Sequence, residues 1–216
     1  MTALWTLLAG IVLAWAGWWW SASALDRAAR VALVAVLGVT AATFNVIVPI
    51  PSIEATTTVV LCTAIVLGVR SGIGVGLVAV VGSSIAGGVG AWTLWQVIAA
   101  CVVAIMGGVL GRAAGRRSWH AGSDRLLLGV VAALATITWD VAVTVGGAAS
   151  YATQPGLTPI EQIVSALLLG AAFTIVHVTF STIFTVVGGP PLLQALQRAR
   201  PRLTGGIVVA SRHELA

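Results

Sequence analysis

Residues 126–149, LLLGVVAALATITWDVAVTVGGAA, form a run of 24 positions with one ionisable side chain, Asp140. A helix apolar on every face belongs inside a large core or inside a bilayer, and a hydrocarbon layer about 30 Å thick takes about 20 such residues. Comparable runs cover 3–20, 29–48, 55–70, 72–88, 93–111 and 160–188, so the chain reads as seven spans. Only Val69-Arg70-Ser71 divides the third from the fourth.

Hydrophobic residues make up 59% of the 216 and charged residues 8%, too few charges to keep such a chain dissolved as a soluble monomer. The expected fold is therefore an all-α polytopic membrane protein. Residues 1–27 read as an N-terminal transmembrane anchor helix and linker, 28–189 as a six-helix membrane bundle, and 190–216 as a cytoplasmic amphipathic basic tail. The first run also has the outline of a signal peptide, with Ala22-Ser23-Ala24 as a possible cleavage site. Trp18, Trp19 and Trp20 stand where cleavage favours small residues, which argues for a retained helix. Cys62 and Cys101 lie inside spans and read as packing residues.

A net charge of +5 raises the question of a nucleic-acid partner, and the placement of the charge answers it. All eleven basic residues are arginines: Arg27, Arg30, Arg70, Arg112, Arg116, Arg117, Arg125, Arg198, Arg200, Arg202 and Arg212. With seven spans they all fall on one side, while the loops around 49–54, 88–92 and 150–159 hold none. The positive-inside rule makes that side the cytoplasm, with the N-terminus outside and the C-terminus inside. The basic excess then reports topology and contact with the lipid bilayer, with no nucleic acid implied.

Small residues recur where helices would approach closely: Gly72, Gly74 and Gly76, then Gly107, Gly111 and Gly115, then Gly146 and Gly147. Gly188-Gly189-Pro190-Pro191 is expected to stop the last span. A short interfacial helix should follow, with Leu192, Leu193 and Leu196 toward the bilayer and Arg198, Arg200 and Arg202 at the headgroups.

Several chemistries find no motif. The chain has no GxxxxGK[ST] phosphate loop and no lysine to serve one, so any ATP is handled elsewhere. "GVRSGIGVG" lacks the strand-turn-helix setting of a dinucleotide fingerprint, so no cofactor is expected. HExxH is absent, and His120, His177 and His213 do not cluster, so no metal site is expected. A small intramembrane serine hydrolase built on Ser83 or Ser84 and His177 is a second reading, and a non-catalytic scaffold a third.

The informative residues are the polar ones that a span should avoid. Asp140 is the sharpest, because an ionisable group in a span is costly unless it faces a cavity or a partner. Thr136, Asp140 and Thr144 share a helix face with Trp139 beside them, and His177 lies near the middle of the last span between Thr174 and Ser181. Phe44 and Asn45 end the first bundle helix; after Pro49, Pro51 and Glu54 the next opens with Thr56, Thr57 and Thr58. Trp92, Trp95 and Gln96 open the fifth span, and Tyr151, Gln154, Glu161 and Gln162 complete the outer rim. Trp92 and Trp95 suit either an interfacial belt or a ligand wall. Asn45, Gln96 and His177 suit either interhelical hydrogen bonds or ligand contacts. Gathered in the outer half of several helices, these residues outline a pocket open to the outside.

The stretch "GVGAWTLWQ", residues 88–96, resembles a Gly-x-Gly-Pro-Trp-Thr-x-Trp-Gln element of the substrate-binding S components of energy-coupling factor transporters. "RAARVALVAVLGVTAA", "PIPSIEATTTVVLCTAIVLGVRSGIGVG" and "GGPPLLQALQRARPRL" resemble further elements of that family in the same order, so the likeness covers roughly 28–203. Ala91 departs from the usual proline, and Leu94 stands where a proline is common. The resemblance implies a six-helix S-component bundle that is not an enzyme. It implies capture of a vitamin or related small organic molecule, with cobalamin the first candidate, in a bacterial cytoplasmic membrane. It also implies a transmembrane coupling subunit and two cytoplasmic ATPases as partners, with Ala28, Ala32 and Ala35 as the docking positions. The substrate-binding residues it suggests are Phe44, Asn45, Thr56, Trp92, Trp95, Gln96, Trp139, Asp140, Thr144, Tyr151 and His177.

Overall fold

The computed structural model describes residues 24–115, 119, 122–150 and 156–203. Among the described residues there are six helices and no strand: α1 (Ala24–Ile47), α2 (Thr56–Leu67), α3 (Val69–Gly87), α4 (Ala91–Ala114), α5 (Gly122–Ser150) and α6 (Pro159–Leu203). Five of them are long and apolar enough to cross a membrane, so this is an all-α polytopic membrane protein. The N-terminal span expected over 3–20 lies outside the described residues.

The exception is α2. The run 55–70 reads as a full span, yet the helix has 12 residues, about 18 Å of rise against a hydrocarbon layer of about 30 Å. Gly68 ends it at a φ of 88°, a backbone conformation that suits a residue without Cβ. Val69 opens α3 at once, so Arg70 sits in the first turn of a helix and not in the loop expected at 69–71. Nearly all of α2 is buried. It packs against each of the other five helices, which follow one another around it in the order α1, α3, α4, α5, α6. TTTVVLCTAIVL has no charged face, which is what a helix enclosed on all sides requires.

Glycine lets α4 and α3 close on this central helix. A Cβ on Gly107 would stand 2.7 Å from the carbonyl oxygen of Leu61, and one on Gly111 would run into the carbonyl of Ile65. On α3, a Cβ on Gly72 would meet Ala64 and one on Gly76 would meet Ala100, each at 2.7 Å. Gly107 and Gly111 therefore form an α2–α4 contact surface, while Gly115 follows the helix and has nothing within 4 Å. The outer faces carry apolar side chains such as Val36, Val39, Leu168, Leu169, Phe173 and Ile175, as a lipid-facing surface does.

The last helix corrects another expectation. Gly188-Gly189-Pro190-Pro191 does not stop it; α6 continues for 45 residues with Pro190, Pro191 and Pro201 inside. Prolines remove amide donors from the helix ladder, and packing beyond them outweighs that loss. Leu193 and Leu196 join the buried core and Leu192 packs against it, where exposure to the bilayer is expected from the sequence.

Two ends of the bundle differ in chemistry. Arg30 at the start of α1, Arg112 at the end of α4 and Arg200 at the end of α6 meet at one end. Asn45, Gln96, Asp140 and His177 face a cavity toward the other.

Substituting Gly111 tests the central packing. Gly111→Ala places a methyl group against helix backbone that has no side chain to move aside, and overpacking of this kind costs about 1–3 kcal/mol. Gly147→Ala, which meets nothing within 4 Å, should leave the melting temperature of the detergent-purified protein unchanged or raise it. Equal melting of the two variants would contradict the α2–α4 contact.

Candidate functional site

The segment 48–55 carries the chain from α1 to α2 through Pro49 and Pro51, with a turn closed by the Ile53 amide on the Ile50 carbonyl at 3.1 Å. It delivers Glu54 to the N-terminus of α2. There Glu54 Oε1 accepts the Thr57 amide at 3.3 Å and the Thr57 hydroxyl at 2.8 Å. A carboxylate at this position satisfies an otherwise unpaired helix donor and meets the positive end of the helix dipole. Asn45, in the last turn of α1, locks the same junction. Its Nδ2 donates to Thr56 Oγ1 at 2.9 Å, and its Oδ1 accepts the Ala55 amide at 3.3 Å.

His177 of α6 lies between two carboxylates. Its Nδ1 is 2.7 Å from Asp140 Oδ1 of α5, and its Nε2 is 3.0 Å from Glu54 Oε1. An imidazole donates from both nitrogens only as an imidazolium, and in that state His177 sets one positive charge between the two carboxyl groups. His177 is 5% exposed, and the two carboxylate side chains are 16% exposed. Burial alone would raise the pKa of Glu54. The hydrogen bond and positive charge of His177, with the hydroxyls of Thr57 and Thr56, more than offset this and hold it below its ordinary value of 4.5. Asp140 Oδ2 is buried and has no hydrogen-bond partner.

These groups face a cavity of about 420 Å³. Asn45, Gln96, Trp139, Asp140 and His177 all line it, together with Glu54, Ser83, Val143 and loop residues 48–53. Five helices and the 48–54 segment thus contribute to one site, and among the described residues Trp139 supplies its one aromatic wall.

Other candidates stand elsewhere. Thr56 is buried under Asn45 and orients it. Phe44 packs edge-on against Phe184, with ring centroids 5.6 Å apart. Trp92 is 41% exposed and folds over Gly90. The indole of Trp95 covers Gly146, and its Nε1 donates to Ser150 Oγ at 2.8 Å, which fastens α4 to α5. Thr144 is half-buried and does not line the cavity. Tyr151 lies outside the described residues. The sequence reading did not count Glu54 among the site residues. Its signal was a lone acid two positions ahead of a threonine run at a helix start.

The serine arrangement is not assembled. The hydroxyl of Thr93 donates to Ser84 Oγ at 3.3 Å, and Ser83 Oγ donates to the Val80 carbonyl at 3.2 Å. Both ring nitrogens of His177 are occupied by carboxylates, which leaves neither to take a proton from serine. Among the described residues no group of His, Cys, Asp or Glu is placed to hold a metal ion. On α1, Ala28 and Ala32 are exposed and Ala35 is half-buried.

His177→Ala should strand two buried carboxylates without their shared counter-charge and destabilise the protein by about 3–5 kcal/mol, read as a lower melting temperature. Because the folded protein holds Glu54 below 4.5, the stability this carboxylate contributes is complete above that pH and is lost as the pH falls below it. Glu54→Gln should therefore flatten the acid limb of a melting-temperature profile. A His177→Ala protein that melts with the wild type, or an unchanged acid limb in Glu54→Gln, would contradict the ion cluster. Set against known proteins, the chain matches no family model, no curated sequence and no solved structure.

Proposed function

We propose that this chain is the substrate-capturing S subunit of an importer of the energy-coupling factor type. It takes one small organic molecule from outside a bacterial cytoplasmic membrane and passes it inward with a transmembrane coupling subunit and two ATPases. The observation that carries the reading is the Glu54–His177–Asp140 cluster facing a cavity of about 420 Å³ at the end of the bundle opposite the arginines. If the arginine end is cytoplasmic, that cavity faces outward. Burying three ionisable groups in a bundle is costly, and a ligand site is the common reason for such a cluster.

The cavity also narrows the ligand. Its volume lies toward the small end of the range for organic ligands, which favours a molecule of one or two rings over a complete corrinoid such as cobalamin. Trp139 offers a stacking face. Two carboxylates against one imidazolium, and an unpartnered Asp140 Oδ2, favour a cationic ligand or one rich in N–H donors. Exposed Ala28 and Ala32 give α1 a flat face on which a coupling subunit could dock. A hydrolase draws no support, since His177 has no ring nitrogen free to serve as base.

Native mass spectrometry of the gently purified protein tests this reading. One retained small molecule per chain is expected, and Asp140→Asn or Glu54→Gln should weaken its binding by roughly thirtyfold or more, the effect of removing one partner of a buried charge pair. Ser84→Ala should retain it. Added thiamine, a two-ring cation, should raise the melting temperature more than added cobalamin. A wild-type protein that carries no small molecule and is shifted by neither compound, nor by riboflavin, would defeat the proposal.

A further inference from the structure

Where α2 stops short, the arginine end of the bundle is hollow. α4 has 24 residues, about 36 Å of helix, against about 18 Å for α2. Beyond Gly68 lies a cavity of about 830 Å³. Its floor is the last turn of α2, and one wall is formed by Gly108 and Gly111 of α4 with Gly115 just beyond it, which put no side chain into it. Arg30, Arg112 and Arg200 border it from three different helices, with Gln197 beside them, and among the described residues no acidic one lines it.

Three guanidinium groups, with no carboxylate among the described lining residues, make the hollow electropositive. Arg112 and Arg200 are exposed and Arg30 is half-buried. Arg30 and Arg200 also have interactions within the protein, and each guanidinium carries five N–H donors, enough to serve an internal partner and a ligand together. The guanidinium fork matches an oxyanion and binds phosphate in paired hydrogen bonds. The contact between α1 and α6, which carry Arg30 and Arg200, is the slightest between neighbouring helices of the ring.

We propose that this hollow binds a phosphate group, and that its source is the headgroup of an anionic phospholipid of the leaflet at the arginine end. Free phosphate is the other source of the same chemistry. The two differ in what else they require, since a lipid enters with its acyl chains in the bilayer and a free anion enters from water.

The test uses the full chain, purified in a neutral detergent, with phosphatidylglycerol, phosphatidylcholine and inorganic phosphate as probes. Native mass spectrometry should show one phosphatidylglycerol retained in preference to phosphatidylcholine. Arg112→Gln should weaken retention roughly fivefold, and the combined Arg30→Gln, Arg112→Gln, Arg200→Gln variant roughly a hundredfold, with each arginine contributing independently. Arg112→Lys, which keeps the charge but loses the guanidinium fork, should fall between the wild type and Arg112→Gln, and Arg125→Gln, which lies outside the hollow, should stay near the wild type. If the triple variant does not fold, Arg112→Gln against Arg112→Lys decides the matter. Arginine-dependent stabilisation by inorganic phosphate without preference for phosphatidylglycerol would overturn the lipid source and leave a soluble phosphate ligand. Equal retention of phosphatidylcholine, or phosphatidylglycerol retention indifferent to the arginines, would overturn the site.

Discussion

A helix of 12 residues cannot fill the axis of a bundle whose other members have 19 to 45. That shortfall shapes most of what this protein can do. α2 packs on all five neighbours and so fixes the core, but each of its ends leaves space enclosed by longer helices. At its N-terminus the space is the cavity under residues 48–54, and at its C-terminus it is the hollow beyond Gly68. A full-length third span would close both. The glycines of α4 make the arrangement possible, because only backbone without side chains comes close enough to the carbonyls of Leu61 and Ile65 to seal the middle.

The two spaces have opposite chemistry for reasons that lie in how the chain enters and leaves α2. Glu54 reaches the first because the proline loop turns it over the helix N-terminus, where Thr57 and the helix dipole stabilise a carboxylate. His177 then links Glu54 to Asp140, so the loop, α5 and α6 are held together through one imidazole. A buried ion cluster of this kind is weak evidence for stability, since apolar side chains of the same volume could pack as well. It presents oriented polar groups to a cavity, and Asp140 Oδ2 is buried there without a hydrogen-bond partner.

Class and polarity were legible in the sequence because a bilayer imposes them residue by residue: apolar runs give helices, and arginine placement separates the two ends. Asp140, His177, Asn45, Gln96 and Trp139 were legible for the same reason, as polar or bulky groups at one depth. Helix length near residue 68 was not. Hydropathy runs smoothly from Val59 to Val69, and only the conformation of Gly68 breaks the helix. The continuation of α6 through Pro190 and Pro191 was hidden too, because local propensity says stop while Leu193 and Leu196 find partners far away in the chain. Trp95 suits either an interfacial belt or a ligand wall by its position in the sequence, and its packing over Gly146 is a contact that no spacing along the chain announces.

The cavity and the hollow share no lining residue. Between them stand Val60, Leu61 and Cys62 of α2, with Val97 and Ala100 of α4, all buried in one continuous core. Among the described residues this core separates a solute in the cavity from the arginine end. Passage of a ligand would require the helices to move relative to one another or the bundle to turn within the membrane. Either motion must break contacts as tight as Gly111 on Ile65 or expose Asp140 and His177 to a new surface.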